Sequence, residues 1–294
     1  MAVIKQNEPL DKYCTFRIGG VAKCLFFATN SDEIIAGIEA ARENKFPFFV
    51  LGSGSNVLFS DAGFGGLVLK MENSNIEMQD QGDKAILSIG AGTLLANLVL
   101  FCRDNSLTGM EWASGIPGTV GGAIRGNAGA FHQEIGETVQ EVQALEIFPA
   151  SIEKKIFSKS ECGFSYRESI FKNNKNLVII EAKIILAKGN PEKIKVLIAE
   201  YLTKKATTQP LDYPSAGSVF MNPAGNFAAK IIQDCGFKGK IIGGAQVSEK
   251  HANFIINRAN AKASDVKELI AQIKLAAKEK FNIDLREEIE IVDY

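Results

Sequence analysis

Apolar residues in the first part of the chain form two short runs with a helical pattern between them. The runs "CLFFA" and "FPFFVL" predict strands. The intervening "SDEIIAGIEAARENK" predicts a helix with Ser31 as its N-cap, because acidic residues fill its first turn and apolar residues recur at helical spacing. This β-α-β order suggests an α/β beginning.

The pattern then changes toward strands. "GGLVLK" and "KAILSIGAG" predict two more strands, followed by a helix from Thr93 to about Asn105. Further strand-like segments lie near 139–148, 155–158 and 177–187. Because strands outnumber helices here, an α+β fold describes the chain better than a doubly wound sheet.

A polar, proline-containing segment, "ATTQPLDYPSAGS", follows a helix predicted from Pro191 to about Lys205. It predicts two domains, one over 1–206 with its core at about 15–188, and one over 207–294. The patterns of the second domain predict a helix closed by Gly236, the strand "NFIIN", a helix from Ser264 as N-cap to Phe281, and the strand "DLREEIEIV".

The composition excludes several function classes. The 294 residues are 46% hydrophobic and carry a net charge of −1, so no overall field attracts nucleic acid or an anionic membrane. No apolar run approaches the roughly 20 residues that cross a bilayer. The first residues lack the apolar core of a signal peptide, and the five scattered cysteines favour reduced thiols. We therefore expect a cytoplasmic protein without a metal centre.

Two glycine-rich segments carry the candidate chemistry. "LGSGSN" offers backbone N–H groups, hydroxyls and an amide in one turn, and such turns bind phosphate. Its residue order fits neither a P-loop nor a dinucleotide fingerprint of the Rossmann type. "GIPGTVGGAIRGNAGA" follows about 60 residues later with a glycine density that a simple connector does not need. Together they predict one long ligand, such as a dinucleotide, although an ordinary surface turn also explains the first segment alone.

Seven segments in order resemble one family. They are "TFRIGG", "LGSGSNVL", "GIPGTVGGAIRGNAGA", "YRES", "SAGSVFMNP", "GGAQVSEKHANFIIN" and "LREEIEI". Their order is similar to that in the UDP-N-acetylenolpyruvoylglucosamine reductases, also called UDP-N-acetylmuramate dehydrogenases, and the resemblance covers nearly the whole chain. The short separation of Arg167 and Ser218 resembles the short-loop class of that family.

The resemblance implies flavin adenine dinucleotide (FAD) in an α+β domain of the vanillyl-alcohol-oxidase (PCMH) type, and a smaller α+β substrate-binding domain. FAD would contact two sets of residues. The expected cofactor-binding residues are Leu51, Gly52, Ser53, Gly54, Ser55, Asn56, Gly115, Ile116, Pro117, Gly118, Thr119, Gly121, Gly122, Asn127 and Gly129.

The resemblance also implies the reaction. NADPH would reduce FAD, which would pass hydride to UDP-N-acetylglucosamine enolpyruvate, giving UDP-N-acetylmuramate for peptidoglycan. Arg167 would bind the substrate carboxylate, Ser218 would supply a proton, and Glu288 on the last strand would stabilise the enolate. Each residue alone fits a blander role: a surface ion pair, a turn and the solvated face of a strand.

The substrate contacts implied are Tyr166, Asn222, Lys238 and His251, with a structural histidine as the alternative for His251. Met221 stands where the family usually has a basic residue, which removes one charge that could neutralise a phosphate. We expect a monomer, with NADPH and the nucleotide sugar as its partners.

Two other functions remain open. A flavin-dependent oxidase of the same superfamily, acting on a 2-hydroxy acid or a lactone, would keep both glycine segments without needing Ser218, Asn222 and Lys238. A flavin-binding protein without catalysis would leave the combination of Arg167, Ser218 and Glu288 unexplained.

Overall fold

The computed structural model describes residues 3–293, which form two compact units. Unit 1 comprises residues up to Ile4, 26–53 and 68–204. Unit 2 comprises 5–25, 54–67 and the residues from Lys205 onward. Each unit is therefore built from segments that are distant in the sequence.

Helices form where apolar residues recur every three to four positions. In the first helix, Ile34, Ile38 and Ala41 are buried on one face, and Asn30 accepts a hydrogen bond from the Glu33 backbone at 3.0 Å. The α-helices are α1 (Ser31–Glu43), α2 (Leu95–Asp104), α3 (Val120–Arg125), α4 (Ile170–Asn173), α5 (Pro191–Thr208), α6 (Ala228–Asp234) and α7 (Ala263–Phe281).

Strands account for most other elements, and several contain only two to four residues. They are β1 (Val3–Pro9), β2 (Val21–Ala28), β3 (Phe48–Leu51), β4 (Val57–Phe59), β5 (Phe64–Met71), β6 (Ile76–Asp80), β7 (Lys84–Gly90), β8 (Leu107–Thr108), β9 (Gly129–Ala130), β10 (Gln133–Glu134), β11 (Val139–Ile147), β12 (Ile152–Ser158), β13 (Leu177–Lys188), β14 (Ser215–Ser218), β15 (Ile241–Ile242), β16 (Ala245–Val247), β17 (Phe254–Asn257) and β18 (Glu290–Val292).

The largest sheet lies in unit 1. Its strands follow the order β12-β11-β13-β7-β6, all antiparallel, and β8 also pairs with β13. Alternate residues of β13 are buried, including Val178, Ala182 and Ile184, because successive side chains point to opposite faces and one face of the antiparallel sheet is covered. A second sheet has the order β1-β2-β5-β3, and the boundary between the units falls inside β1, β2 and β5.

Unit 2 contains an antiparallel sheet of order β14-β17-β16-β15 and a parallel pair of β4 with β18. Helix α7 buries Val266, Leu269 and Ile273. Helices and mostly antiparallel sheets together make an α+β fold, as the sequence predicts.

Three sequence-based boundaries were wrong. Asn30, not Ser31, caps α1, and α7 begins at Ala263 with Lys262, not Ser264, as its N-cap. The strand predicted over 284–292 is limited to β18, so Glu288 lies two residues before it.

The cap of α7 depends on a residue far away in the sequence. Asp61 accepts hydrogen bonds from the Ala263 and Ser264 backbones at 2.6 and 3.0 Å. The first two orphan donors of the helix are thereby satisfied without Ser264 as a cap.

Candidate active site

The first glycine segment, residues 51–56, follows β3. A Cβ atom on Gly52 would lie 2.5 Å from Thr119 Oγ1, and one on Gly54 would lie 2.2 Å from the Tyr13 carbonyl oxygen. Gly54 also has a positive φ of 67°. These two glycines are therefore required by the close approach of the protein's own chain, and not only by space for a ligand.

The second segment, residues 115–129, contains helix α3, which the sequence analysis did not predict. Thr119 caps this helix by accepting a hydrogen bond from Gly122 N at 3.3 Å. A Cβ on Gly121 would lie 2.8 Å from Ala91 Cβ, and one on Gly129 would lie 2.4 Å from the Gln133 carbonyl oxygen. Glycines in this segment thus also permit close backbone packing.

Asn127 is fully buried and has a positive φ of 41°. Its side chain donates to the Ser165 carbonyl at 2.9 Å and accepts from Gly136 N at 3.1 Å. These bonds tie the second segment to the chain just before Tyr166. A contact between Asn127 and a cofactor stays a prediction.

The geometry fits a dinucleotide cofactor. The approach of Gly52 to Thr119, both in unit 1, places the start of the first glycine segment beside the second, so one ligand can touch both there. Hydroxyl groups and backbone amides of these turns are suitable donors for phosphate oxygens. At Gly122, a Cβ would meet only Thr119 Oγ1, at 3.4 Å, which leaves its surface more open than those of Gly52 and Gly121.

Arg167 lies beside the second glycine segment in unit 1. Its Nη2 donates to the Gly129 carbonyl at 2.9 Å, and its guanidinium lies 5.3 Å from the centre of the Tyr166 ring. Ser169 Oγ also donates to the Arg125 carbonyl at 2.7 Å. Arg167 has a positive φ of 59°, which costs free energy for a residue with a side chain and is common at functional sites.

Ser218 and Glu288 lie on adjacent segments of unit 2. Glu288 N donates to the Val219 carbonyl at 2.8 Å, and Phe220 pairs with Glu287 in an antiparallel bridge. Backbone bonds therefore hold the segment that follows Ser218 against the segment that contains Glu288. Glu287 itself forms an ion pair with Lys274 at 2.7 Å.

Asn56 connects the first glycine segment to Glu288. Its Nδ2 donates to the Glu288 carbonyl at 3.0 Å, and its own carbonyl accepts from Glu290 N at 2.9 Å. The sequence predicted a role for the Asn56 amide only in cofactor binding, and this link to Glu288 was not predicted.

The other expected substrate residues occupy unit 2, apart from Tyr166. Asn222 Oδ1 accepts from Ala228 N, the first residue of α6, at 3.0 Å. Lys238 Nζ lies 3.4 Å from Gln233 Oε1. His251 has a buried Nδ1 without a hydrogen-bond partner among the described residues. Burial, and then the charge of Lys238, lower the pKa of His251, which keeps the ring neutral near pH 7.

Sequence reasoning also missed Thr15, although "TFRIGG" was recognised as a motif. Its hydroxyl donates to the Ser215 carbonyl at 2.7 Å, at the start of β14. The motif was the only sign that this residue matters, since the residue types of "TFRIGG" do not indicate a bond to Ser215.

The described residues contain neither a metal cluster nor a membrane-spanning helix. No cluster of histidine, cysteine, aspartate or glutamate in 3–293 is arranged to hold a metal ion. In the same range, no helix is both long and apolar enough to cross a membrane.

Two family models match the chain. The model of the UDP-N-acetylenolpyruvoylglucosamine reductase C-terminal domain matches residues 209–292. The FAD binding domain model matches residues 22–150, which include both glycine segments.

Curated relatives match almost the whole chain. The UDP-N-acetylenolpyruvoylglucosamine reductase of Caldanaerobacter subterraneus subsp. tengcongensis is 44% identical over 97% of this chain and 92% of its own length. The enzyme of the same name from Clostridium novyi is 41% identical, over 98% of this chain and 92% of its own length.

Solved structures agree with the fold. The crystal structure of UDP-N-acetylenolpyruvylglucosamine reductase from Thermus caldophilus has a TM-score of 0.81 and 30% identity, covering 100% of this chain and 99% of that one. A cholesterol oxidase from Brevibacterium sterolicum, at 10% identity and a TM-score of 0.50, covers 64% of this chain and 38% of its own. The FAD binding domain model and both structures together support the expected α+β fold of the vanillyl-alcohol-oxidase type. The chain is a flavin-dependent oxidoreductase and belongs to the UDP-N-acetylenolpyruvoylglucosamine reductase family.

Proposed function

We propose that this protein reduces UDP-N-acetylglucosamine enolpyruvate to UDP-N-acetylmuramate, with NADPH as the reductant and FAD as the cofactor. The observation that carries the proposal is the backbone bond between Glu288 and Val219, because it holds an acid next to the segment of the serine that would deliver the proton. The product would enter peptidoglycan precursor synthesis in the cytoplasm, and the enzyme would act as a monomer.

FAD, when bound, would serve as the hydride carrier between NADPH and the terminal methylene carbon of the substrate. The residues proposed to hold it are those of the two glycine segments, from Leu51 to Asn56 and from Gly115 to Gly129. The adjacency of Gly52 and Thr119 supports this assignment.

Arg167 would bind the substrate carboxylate. Hydride addition increases the negative charge on that carboxylate, and a guanidinium offers a permanent charge with a planar pair of donors. Its bond to the Gly129 carbonyl orients the side chain.

Ser218 would donate the proton to the carbon beside the carboxylate. A hydroxyl is a weak acid, so this step requires a strongly basic carbanion held within hydrogen-bonding distance. Glu288, in its protonated form, would donate a hydrogen bond to the developing enolate.

Asn222, Lys238, His251 and Tyr166 would bind the nucleotide sugar. The unpartnered Nδ1 of His251 and the nearby charge of Lys238 support a polar ligand at that position of unit 2. Residues 207–294 would supply most of the substrate contacts, and residues 1–206 would hold the cofactor.

The visible spectrum tests the proposal directly. The flavin absorption should bleach on anaerobic addition of NADPH and return on addition of the enolpyruvyl substrate. Recovery only with oxygen would instead favour an oxidase. A colourless protein that cannot be reconstituted with FAD would contradict the assignment of both glycine segments.

The variant Ser218→Ala separates the two half-reactions. Bleaching by NADPH should keep its rate, whereas recovery with the enolpyruvyl substrate should fall by at least about 100-fold, because the proton donor is missing. Recovery at the unmodified rate would remove Ser218 from its proposed role.

A further inference from the structure

The motif "TFRIGG" has no role in the reaction as proposed, yet its first residue makes two bonds next to the site. Thr15 N donates to the Gly54 carbonyl at 3.1 Å, within the first glycine segment. Thr15 Oγ1 donates to the Ser215 carbonyl at 2.7 Å. One residue therefore joins the glycine segment to β14, the strand that ends with Ser218.

Strand β14 needs such support because its pairing is irregular. It pairs with β17 at Ser215 opposite Ile256 and at Ser218 opposite Phe254, with a register shift between the two pairs. Gly217 within this stretch has a positive φ of 77°. A bulge of this kind redirects the side chains beside it, so bonds at the ends of the strand determine where Ser218 points.

A second set of bonds fixes the two residues that follow Thr15. Asn257 Nδ2, at the end of β17, donates to the carbonyls of Phe16 and Arg17, both at 3.2 Å. Asn257 N also donates to the Pro214 carbonyl at 2.9 Å. The segment of Thr15, the start of β14 and the end of β17 are thus bonded to one another in unit 2.

We propose that Thr15 is a positioning residue for proton delivery by Ser218. Its hydroxyl holds the Ser215 carbonyl, three residues before Ser218, and thereby sets the position of the bulged strand. Thr15 does not touch substrate in this role. The inference rests on the proposed function, because it assigns Thr15 to the serine that function uses.

The test compares Thr15→Val, which removes the hydroxyl at nearly constant shape, with Thr15→Ser, which keeps it. In anaerobic stopped-flow measurements on the FAD-loaded enzyme, both variants should bleach with NADPH at the unmodified rate. Recovery with the enolpyruvyl substrate should slow by about 10- to 100-fold in Thr15→Val, because a displacement near 1 Å can have an effect of this size. Thr15→Ser should recover at the normal rate.

A solvent deuterium isotope effect on recovery distinguishes positioning from general loosening. It should increase in Thr15→Val, where proton delivery becomes slower, and stay unchanged in Thr15→Ser. Thr29→Val is the matched control, since the exposed Thr29 hydroxyl bonds only locally, donating to Glu33 and accepting from Asn30 beside the start of α1. If Thr15→Val does not fold, Thr15→Ala removes the same bond with less bulk.

The outcomes distinguish the positioning role of Thr15 from the proposed function on which it rests. Recovery of Thr15→Val and Thr15→Ala within twofold of normal, with Ser218→Ala strongly impaired, overturns the role of Thr15 alone. Equal slowing of both half-reactions in Thr15→Val, without a change in the isotope effect, also overturns it. Normal recovery in Ser218→Ala overturns the proposed function and this inference with it.

Discussion

At the scale of single residues, Arg167 combines a left-handed backbone with a side chain fixed by the Gly129 carbonyl. A conformation of this kind costs about 1–3 kcal/mol and persists only where its surroundings enforce it. The residue that the resemblance assigned to the carboxylate therefore lies where the protein accepts backbone strain. Backbone strain of this kind agrees with a functional role for Arg167.

Replacing Arg167 by lysine should lower kcat/KM by about 100-fold while the rate of flavin bleaching by NADPH stays unchanged. Lysine keeps the charge but loses the planar pair of donors that matches a carboxylate. Steady-state kinetics with the enolpyruvyl substrate measure the effect. Arg103→Lys, at an exposed pair with Asp104, is the control and should be neutral.

Lys205 is a second residue with an unusual environment, since its side chain is buried. Burial lowers the pKa of Lys205 from 10.5 to about 8. Between these two values the unfolded chain binds more protons than the folded one, so stability rises as the pH increases from 8 to 10.5.

The free energy of unfolding of the unmodified protein, relative to Lys205→Met, should therefore increase by up to about 3 kcal/mol between pH 7 and pH 10.5. Chemical denaturation at both pH values measures this change. Lys193→Met, an exposed position on the same helix α5, should show no comparable change. A difference independent of pH would contradict the burial argument.

At the scale of elements, the cap of α7 shows how distant segments complete one helix. Burial raises the pKa of Asp61, but hydrogen bonds from the Ser264 and Ala263 backbones outweigh it and hold the pKa below 3.8. The ionised carboxylate is therefore the form that stabilises the start of α7.

Asp61→Ala should lower the free energy of unfolding by about 1–2 kcal/mol at pH 7, as expected for the loss of an N-terminal cap. The loss should disappear as the pH falls through the lowered pKa of Asp61, where the folded protein protonates this carboxyl. Denaturation curves at pH 7 and at successively lower pH values, compared for the two proteins, measure both effects. Asp212→Ala, at an exposed position in the same unit, is the control.

The sequence predicted helix interiors and long strands well, because their periodicity is local. It did not predict α3 or the short strands β14–β16, since a few residues contain too little periodicity. It also missed β1, because "VIKQNEP" does not alternate between apolar and polar residues. It also misplaced the caps of α1 and α7, one of which depends on Asp61. Motif order identified the family, while bonds such as that from Thr15 to Ser215 leave no pattern in the sequence.

At the scale of the whole molecule, the five cysteines report how well different parts of the fold exclude solvent. None of the five cysteines, all within the described residues, forms a disulfide. Burial raises the pKa of Cys102 to about 12 and of Cys162 to about 11, with smaller contributions from Glu111 and Glu161. Burial also raises the pKa of Cys14.

A thiol reagent at pH 7.5 should therefore modify only Cys24 and Cys235 in the native protein, since both are half-buried and the other three are buried. All five should react in denaturant. Counting released thionitrobenzoate gives the result, and rapid native modification of a third thiol would contradict the burial of the remaining cysteines.

The discontinuous composition of unit 2 has a consequence for biosynthesis. Thr15 and Ser215 are 200 positions apart, and Asp61 and Ser264 are 203 apart. On the ribosome, the early segments of unit 2 emerge long before their partners. Their partners are translated last, so unit 2 closes only near the end of synthesis. A chain that stops before residue 205 contains the early segments of unit 2 without those partners.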